Sequence, residues 1–255
     1  MKIGVQLYTL RDFCKTSEDF AETLKKVADI GYTSVQVSGT CAYEGEWLSE
    51  QLKKNGLTCD LTHYSPDEML ADPVAVVNKH KKFDCKYIGI GAMPGIGDNN
   101  TKENWEKFIA SYQPVAKQFK DMGCYLMYHN HHYEFFDING ERCWDYLTKS
   151  FAPDEMGFTL DVHWVLAGGH DPLVELKALK GRIPCVHFKD YTATLSGERR
   201  FAPVGEGIID FNKIANTCVD LGVEYAFVEQ DDCYGEDPFA CVKRSYDYLT
   251  SLGLK

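Results

Sequence analysis

The chain has 255 residues, of which 44% are hydrophobic and 25% are charged, a composition typical of a globular protein with a substantial core. Its formal net charge of −11 argues against a surface that binds nucleic acid or an anionic membrane, because such binding depends on clustered Lys and Arg. A small polar molecule is therefore the expected partner. No apolar run has the length of a membrane span, and the opening MKIGVQLYTLRD is too short in apolar residues for a signal peptide. We expect a cytoplasmic protein without membrane contact.

The ten cysteines are scattered through apolar segments without any CxxC pair. In a short secreted chain such a number would suggest disulfides, but this distribution favours reduced, mostly buried thiols. The cysteines therefore agree with a cytoplasmic location.

Short apolar segments alternate with segments of helical periodicity along the whole chain. In chain order the sequence predicts strand 3–8, helix 16–30, strand 34–38, helix 45–55, strand 57–63, helix 66–83, strand 86–91, helix 101–122, strand 124–129, helix 140–149, strand 156–161, helix 172–179, strand 183–188, helix 210–221, strand 224–230 and a helix from 237. A long polar loop, 191–207, separates strand seven from its helix. Eight such units in about 250 residues predict one domain, 1–255, folded as a single (β/α)8 TIM barrel.

Polar side chains follow four of these strands at the point where each strand ends. The segments are CYLMYHNHHYEFF (124–136), FTLDVHW (158–164), CVHFKDY (185–191) and AFVEQDD (226–232). The active site of a closed parallel barrel lies at the carboxyl ends of its strands, so these polar residues are expected to converge.

Three of the converging residues have side chains that bind divalent cations. Asp161, His187 and Glu229 form a hard to borderline ligand set suited to Mn²⁺, Mg²⁺, Co²⁺ or Zn²⁺. The fourth ligand should come from strand five. Glu134 is the preferred candidate, with His129 as a neighbouring acid, base or hydrogen-bond donor, but His129 itself remains the alternative ligand.

Other residues near the strand ends are candidates for contact with a substrate. Lys189 shares the face of His187 by period-two spacing and could direct its ammonium group at a substrate oxygen. Arg200 could bind a phosphate or hydroxyl group from the long loop. The candidate pocket residues are Tyr8, His63, His131, His163 and Trp164, and Arg199 is a candidate for the same contact as Arg200. His80 and His170 have no such context and are expected at the surface.

The segments GVQLYTLRD, HNHHYEF, LDVHW, VHFKDY, PVGEG and FVEQD together resemble the xylose isomerase-like TIM barrels, in particular the sugar phosphate isomerase/epimerase group. In epimerases of that group one divalent metal, often Mn²⁺, is held by Glu, Asp, His and Glu from the last four strands. The resemblance implies that Asp161, His187 and Glu229 take the last three of these positions. The position of the first glutamate holds His129 here, which disfavours a symmetric epimerisation by two glutamates.

The resemblance also implies a function and disfavours another. The DNA-repair endonucleases of the superfamily use an additional His at the end of strand four, where this chain has Gly89-Ile90-Gly91. The expected function is a metal-dependent sugar isomerase or epimerase that removes a proton beside a carbonyl through an enediolate, with Glu229 or His129 as proton shuttle. The alternatives are a lyase or dehydratase acting on a keto-inositol or 3-keto-sugar and a non-catalytic sugar-binding barrel. The oligomeric state, a homo-oligomer included, is left open.

Overall fold

The computed structural model describes residues 1–97, 100–138 and 140–255. Its strands are β1 (Lys2–Gln6), β2 (Ser34–Val37), β3 (Thr58–His63), β4 (Tyr87–Ile90), β5 (Tyr125–His129), β6 (Asp137–Ile138), β7 (Glu141–Arg142), β8 (Met156–Asp161), β9 (Cys185–Phe188), β10 (Asp190–Ala193), β11 (Arg199–Ala202) and β12 (Tyr225–Val228). Its α-helices are α1 (Ser17–Ile30), α2 (Gly45–Asn55), α3 (Pro66–Ala71), α4 (Pro73–Lys81), α5 (Lys102–Asp121), α6 (Cys143–Ser150), α7 (Val162–Ala167), α8 (Pro172–Ala178), α9 (Phe211–Leu221) and α10 (Pro238–Ser251). Short 3₁₀ helices cover Leu7–Phe13 and Tyr133–Phe135.

Eight of the strands form a closed parallel barrel in the order β1, β2, β3, β4, β5, β8, β9 and β12. β12 closes the barrel by pairing in parallel with β1, from Lys2 opposite Tyr225 to Val5 opposite Val228. The predicted single (β/α)8 TIM barrel is confirmed. All eight strands point the same way, so their carboxyl ends share one rim.

The barrel interior is built in two layers of different chemistry. The lower layer is an apolar cluster, separate from the core between strands and helices, and consists of Leu61, Tyr87, Met127, Cys185 and Phe227. Side chains alternate along a strand, so the residues two positions later face the interior one layer higher. On four of these five strands that upper layer is polar: His63, His129, His187 and Glu229. Apolar side chains therefore fill the lower part of the barrel interior, and polar side chains lie directly above them.

The helices differ from the sequence prediction in two places. The helix expected at 66–83 is divided into α3 and α4, because Asp72 precedes Pro73 and a residue before proline is disfavoured in helical conformation. Asp72 instead caps α4 by accepting from the Ala75 N–H. A helix that the sequence did not predict, α7, begins directly after Asp161 at the end of β8.

The long loop after β9 contains an antiparallel hairpin, β10 with β11, and is held in place by Asp190. The Asp190 carboxylate is fully buried and accepts hydrogen bonds from the backbone N–H groups of Tyr191, Gly205, Gly207 and Ile209. A Cβ at Gly207 would overlap that carboxylate, so the segment requires glycine there. One side chain therefore anchors the chain between β11 and α9 to the rim of the barrel.

We expect Asp190→Asn to destabilise the protein by about 3 kcal/mol, because the amide offers fewer acceptor sites and no charge to four buried donors. Glu206→Gln is the matched control, since Glu206 lies in the same segment but pairs with Arg244 in an exposed ion pair. That change should cost less than about 0.5 kcal/mol. Urea unfolding of both variants measures the difference, and equal free energies of unfolding would contradict the anchoring role.

The structure shows which cysteines and which histidine outside the site are buried. All ten cysteines are free, and eight of them are buried. His80, expected at the surface, is fully buried: its Nε2 lies 2.9 Å from Thr62 Oγ1 and its Nδ1 lies 2.7 Å from the Val76 carbonyl oxygen. This prediction was wrong because the packing of α4 on the barrel is not visible in local sequence.

Among the described helices, none combines the length and the apolar character that crossing a bilayer requires.

Candidate metal centre

Four side chains from neighbouring strands converge at the carboxyl rim of the barrel. They are His129 from β5, Asp161 from β8, His187 from β9 and Glu229, directly after β12. Each offers one ligand atom, all four are buried, and the four atoms lie within 4.8 Å of one another. Bonds of ~2.0–2.2 Å to a divalent cation place its ligands up to ~4.4 Å apart. Small side-chain movements would therefore bring all four atoms onto one ion.

The outer nitrogen of each histidine ring is held by an oxygen acceptor. His129 Nδ1–H donates to the Gly91 carbonyl oxygen at 2.9 Å, and His187 Nε2–H donates to Gln36 Oε1 at 2.6 Å. When the rings are neutral, these bonds leave the inner nitrogens, His129 Nε2 and His187 Nδ1, without protons and directed at the carboxylates. Metal-binding histidines are oriented in this way.

Two inner atoms of the cluster, one from His187 and one from Glu229, face each other at short distance. His187 Nδ1 and Glu229 Oε2 lie 3.0 Å apart, and Lys189 Nζ lies 2.9 Å from the same Glu229 oxygen. Although burial would lower the pKa of His187, the carboxylates of Glu229 and Asp161 raise it, so positive charge is favoured at this position. Two lone pairs that face each other in a buried site repel unless a proton or a cation lies between them. The donor atoms therefore fit a bound cation.

The charge balance of the cluster indicates the charge of that cation. Three carboxylates, Asp161, Glu229 and Asp231, surround a single buried ammonium group, Lys189. The local sum is −2, which a divalent ion would neutralise. Although burial raises the pKa of Asp161 and of Glu229, the ammonium group of Lys189 holds both pKa values well below their ordinary range. Both groups are therefore available as anionic ligands.

Asp161 has a structural role as well as a place in the cluster. Its Oδ1 accepts from the Trp164 N–H at 3.0 Å and caps α7, while its Oδ2 faces His129 Nε2 at 3.4 Å. Asp161 therefore caps a helix with one carboxylate oxygen and faces the cluster with the other.

The structure places the two candidates for the strand-five ligand on opposite faces of β5. His129 faces the barrel interior, whereas Glu134 lies in the 3₁₀ helix after β5 and accepts from Tyr128 Oη–H at 2.7 Å and from the His131 N–H at 2.9 Å. Tyr128 packs outside the barrel against Trp105 and Phe108 of α5. Glu134 is therefore not among the four residues that converge.

Burial raises the pKa of Glu134 to about 7, even though the two hydrogen bonds favour its charged form. Between the ordinary value of 4.5 and about 7 the folded protein keeps a proton that the unfolded chain has lost, so stability should fall as pH rises through that window. The rise in pKa corresponds to about 3 kcal/mol. We expect metal-free wild-type protein to lose about that much relative to Glu134→Gln between pH 5 and pH 8. Parallel unfolding free energies of the two proteins over this range would contradict the assignment.

Lys189 is buried and bound on all sides by carboxylates. Its Nζ lies 2.9 Å from Glu229 Oε2, 3.0 Å from Asp231 Oδ2 and 3.4 Å from Asp161 Oδ2. Burial would lower its pKa, but the three carboxylates outweigh burial and hold the pKa above the ordinary value. The Trp164 and Phe201 rings lie 5.2 and 5.6 Å from Nζ. Lys189 is therefore a fixed cation, with one hydrogen bond to Asp231 and ion pairs to Glu229 and Asp161.

A cavity of about 520 Å³ opens above the cluster. Its lining includes the predicted pocket residues Tyr8, His63 and His131 together with His129, Lys189 and Glu229. Trp164 lies behind Lys189 and beside His131, at 5.4 Å between ring centroids. Arg200 instead extends from the hairpin, where it pairs with Glu198 and stacks on Tyr234. Burial lowers the pKa of His131 to about 3, so that ring is neutral.

The sequence did not single out several residues that complete this site. Gln36 holds His187, and Asp231 both binds Lys189 and lines the cavity. Burial and the adjacent Glu229 raise the pKa of Asp231 to about 6. Asp231 follows Glu229 by two residues in VEQDD, so period two was an available signal, whereas nothing local to β2 distinguishes Gln36.

The model of one protein family, described as xylose isomerase-like TIM barrel, matches residues 24–245. The chain belongs to this family. The resemblance inferred from the strand-end segments is thereby confirmed, and an enzyme that acts on sugars is the general expectation for a member.

Three individual proteins that are similar to this chain share 16–24% sequence identity with it. An inosose dehydratase of Lacticaseibacillus casei is 24% identical over 165 residues, 58% of this chain and 55% of that protein. The match thus spans about half the length of that relative. A sugar phosphate isomerase/epimerase from Parabacteroides distasonis superposes with a TM-score of 0.83 at 20% identity, covering 98% of this chain and 93% of the other. A D-psicose 3-epimerase from Clostridium cellulolyticum, solved with D-tagatose, gives 0.74 at 16% identity and full coverage of both chains. At such identities the superpositions show a shared fold.

Proposed function

We propose that this protein is a divalent-metal-dependent isomerase or epimerase of a keto-sugar or sugar phosphate, with Mn²⁺ as the preferred ion and Mg²⁺, Co²⁺ or Zn²⁺ as other possible ions. The observation that carries the proposal is the convergence of His129, Asp161, His187 and Glu229, with a residual charge of −2, at the floor of a cavity large enough for a sugar. His129 takes the place of Glu134 in the proposed ligand set. A cation in this site would polarise the carbonyl of a bound sugar and make the adjacent C–H more acidic.

The side chains around the cluster suit a single-base proton transfer. Glu229 lines the cavity, and its carboxylate is held by Lys189, so it is placed to accept a proton from the sugar carbon and to return it to the neighbouring one. The aromatic wall of His131 and Trp164 restricts access of water on one side. A two-base epimerisation removes a proton from one face of the sugar and returns a proton to the other, and it would need a second glutamate. His129 occupies the position where that glutamate would be. One-base isomerisation is therefore favoured over two-base epimerisation.

Elimination is the second candidate, supported by the similarity to an inosose dehydratase. The same proton removal beside a carbonyl can be followed by loss of a β-substituent instead of return of the proton. The residues would act in the same way up to that step, with Glu229 as the base. The products therefore separate the two reactions.

The test is a panel of keto-sugars, sugar phosphates and keto-inositols incubated in D₂O with Mn²⁺-loaded protein, quenched and analysed by NMR. Isomerisation or epimerisation should introduce deuterium at the carbon beside the carbonyl and yield a new isomer, whereas elimination should release water or a leaving group. Protein treated with a chelator is the control and should be inactive. Binding of a sugar without any metal-dependent proton exchange would indicate a sugar-binding barrel and overturn the proposal.

A further inference from the structure

His63 at the end of β3 lies beside the metal cluster without belonging to it. Its ring centroid is 5.1 Å from that of His129 and 5.6 Å from that of His187, and it lines the same cavity. The ring belongs to the upper polar layer of the barrel interior, as His129 and His187 do. Its position places it within reach of a molecule bound above the cluster.

Gln6, a fully buried residue at the end of β1, determines which nitrogen of the His63 ring carries the proton. Gln6 Oε1 accepts from the Tyr8 N–H at 3.2 Å, which fixes the orientation of the amide. Gln6 Nε2 therefore faces His63 Nδ1, at 3.5 Å, and can only donate to it. Nδ1 must then be an acceptor, so the ring is neutral and carries its proton on Nε2.

The Nε2–H of His63 is a buried donor that no described residue accepts. An unsatisfied buried donor costs about 1–3 kcal/mol, and such groups in native proteins usually have a partner that the protein alone does not supply. Here the donor borders the cavity that also contains the cluster. An oxygen atom of a ligand bound in this cavity could accept the hydrogen bond from His63 Nε2–H.

Lys189, which the sequence favoured as the partner of a substrate oxygen, is not free to act as one. The Lys189 ammonium donates a hydrogen bond to Asp231 Oδ2 at 3.0 Å and forms ion pairs with Glu229 at 2.9 Å and Asp161 at 3.4 Å. Donating to a substrate would require one of these buried ion pairs to break. His63 offers a donor at the same cavity without that cost.

We infer that His63, as a neutral imidazole fixed by Gln6, donates its Nε2–H to the substrate oxygen on which negative charge develops. This inference rests on the proposed function and identifies a catalytic residue for it, with Gln6 as a positioning residue. A neutral donor binds the oxygen without adding a positive charge that would compete with the cation for the carboxylates. The role is that of one donor in an oxyanion site.

The first test concerns the tautomer and needs no substrate. In Zn²⁺-loaded protein labelled with ¹⁵N in histidine, the ring signals that disappear in His63→Gln belong to His63, and we expect them to show a protonated Nε2 and a bare Nδ1. Gln6→Leu should abolish this preference while the signals of the other neutral rings remain. A protonated Nδ1 on His63 in the wild type would overturn the inference.

The second test concerns the donated hydrogen bond. With the keto-sugar that exchanges deuterium, His63→Leu should lower the rate constant at saturation about 10²–10³-fold without loss of Mn²⁺ affinity. His63→Gln, whose amide nitrogen reaches the position of Nε2, should stay within about 10-fold of wild type, whereas His63→Asn should behave like the leucine variant. Equal rates in all variants would overturn the role.

A third measurement separates failure of this inference from failure of the proposed function. If the wild type exchanges no sugar proton, binding of acetohydroxamate to Zn²⁺-loaded protein replaces turnover as the readout. Calorimetry should then show binding at least about 10-fold weaker in His63→Leu than in the wild type, with His63→Gln near the wild type. Equal affinities would reject His63 as a donor whatever the reaction is.

Discussion

Replacing Glu229 with glutamine is expected to lower turnover by about 10³–10⁴-fold at saturating Mn²⁺, since the amide cannot accept the proton that the carboxylate is proposed to take. The change keeps the shape of the side chain and removes one of the three negative partners of Lys189. Metal affinity should also fall, because an amide oxygen is a weaker ligand than a carboxylate. The rate of deuterium incorporation at a series of Mn²⁺ concentrations separates the lost base from the weakened site.

Glu236→Gln is the matched control for this experiment. Glu236 lies seven residues further along the same rim segment and pairs with Arg244 in an exposed ion pair at 2.8 Å. Its replacement removes the same charge from the chain and should leave turnover unchanged. If Glu229→Gln with bound metal keeps turnover within about 10-fold of wild type, Glu229 is not the base.

Replacing His129 with alanine should weaken binding of Mn²⁺ more than about 100-fold, because one of four proposed ligands is lost. Glu134→Gln should change the affinity by less than about 10-fold, since Glu134 lies on the other face of β5 and bonds to Tyr128 and the His131 N–H. Titration of chelator-treated protein with Mn²⁺, followed by calorimetry, measures both affinities.

The two variants test alternatives that the sequence left open. His129→Gln, which keeps a polar side chain in the interior, guards against loss of folding in the alanine variant, and circular dichroism verifies the fold of each. A larger loss of affinity in Glu134→Gln than in His129→Ala would return the strand-five position to Glu134. It would also require the 3₁₀ helix at Tyr133–Phe135 to rearrange on binding.

The sequence by itself determined the barrel and the rim at which the polar residues meet. Local pattern was sufficient, because apolar strand segments and capped helices alternate, and parallel strands that share one direction must bring their ends together. Asp161, His187 and Glu229 could be selected because each occupies a strand end, where the chain leaves the apolar layer. Their side chains, two carboxylates and an imidazole, are metal-binding types that can be recognised from the sequence alone.

Only the tertiary structure decided which face of a strand end each polar group occupies and what holds it. Glu134 follows His129 by five residues, but the chain turns in a 3₁₀ helix and returns the carboxylate to the outer face, where Tyr128 binds it. Lys189 and His63 likewise acquire their states from residues remote in sequence, Asp231 and Gln6. Protonation and hydrogen bonding depend on three-dimensional neighbours and burial, and neither is encoded in the local periodicity that determines the fold.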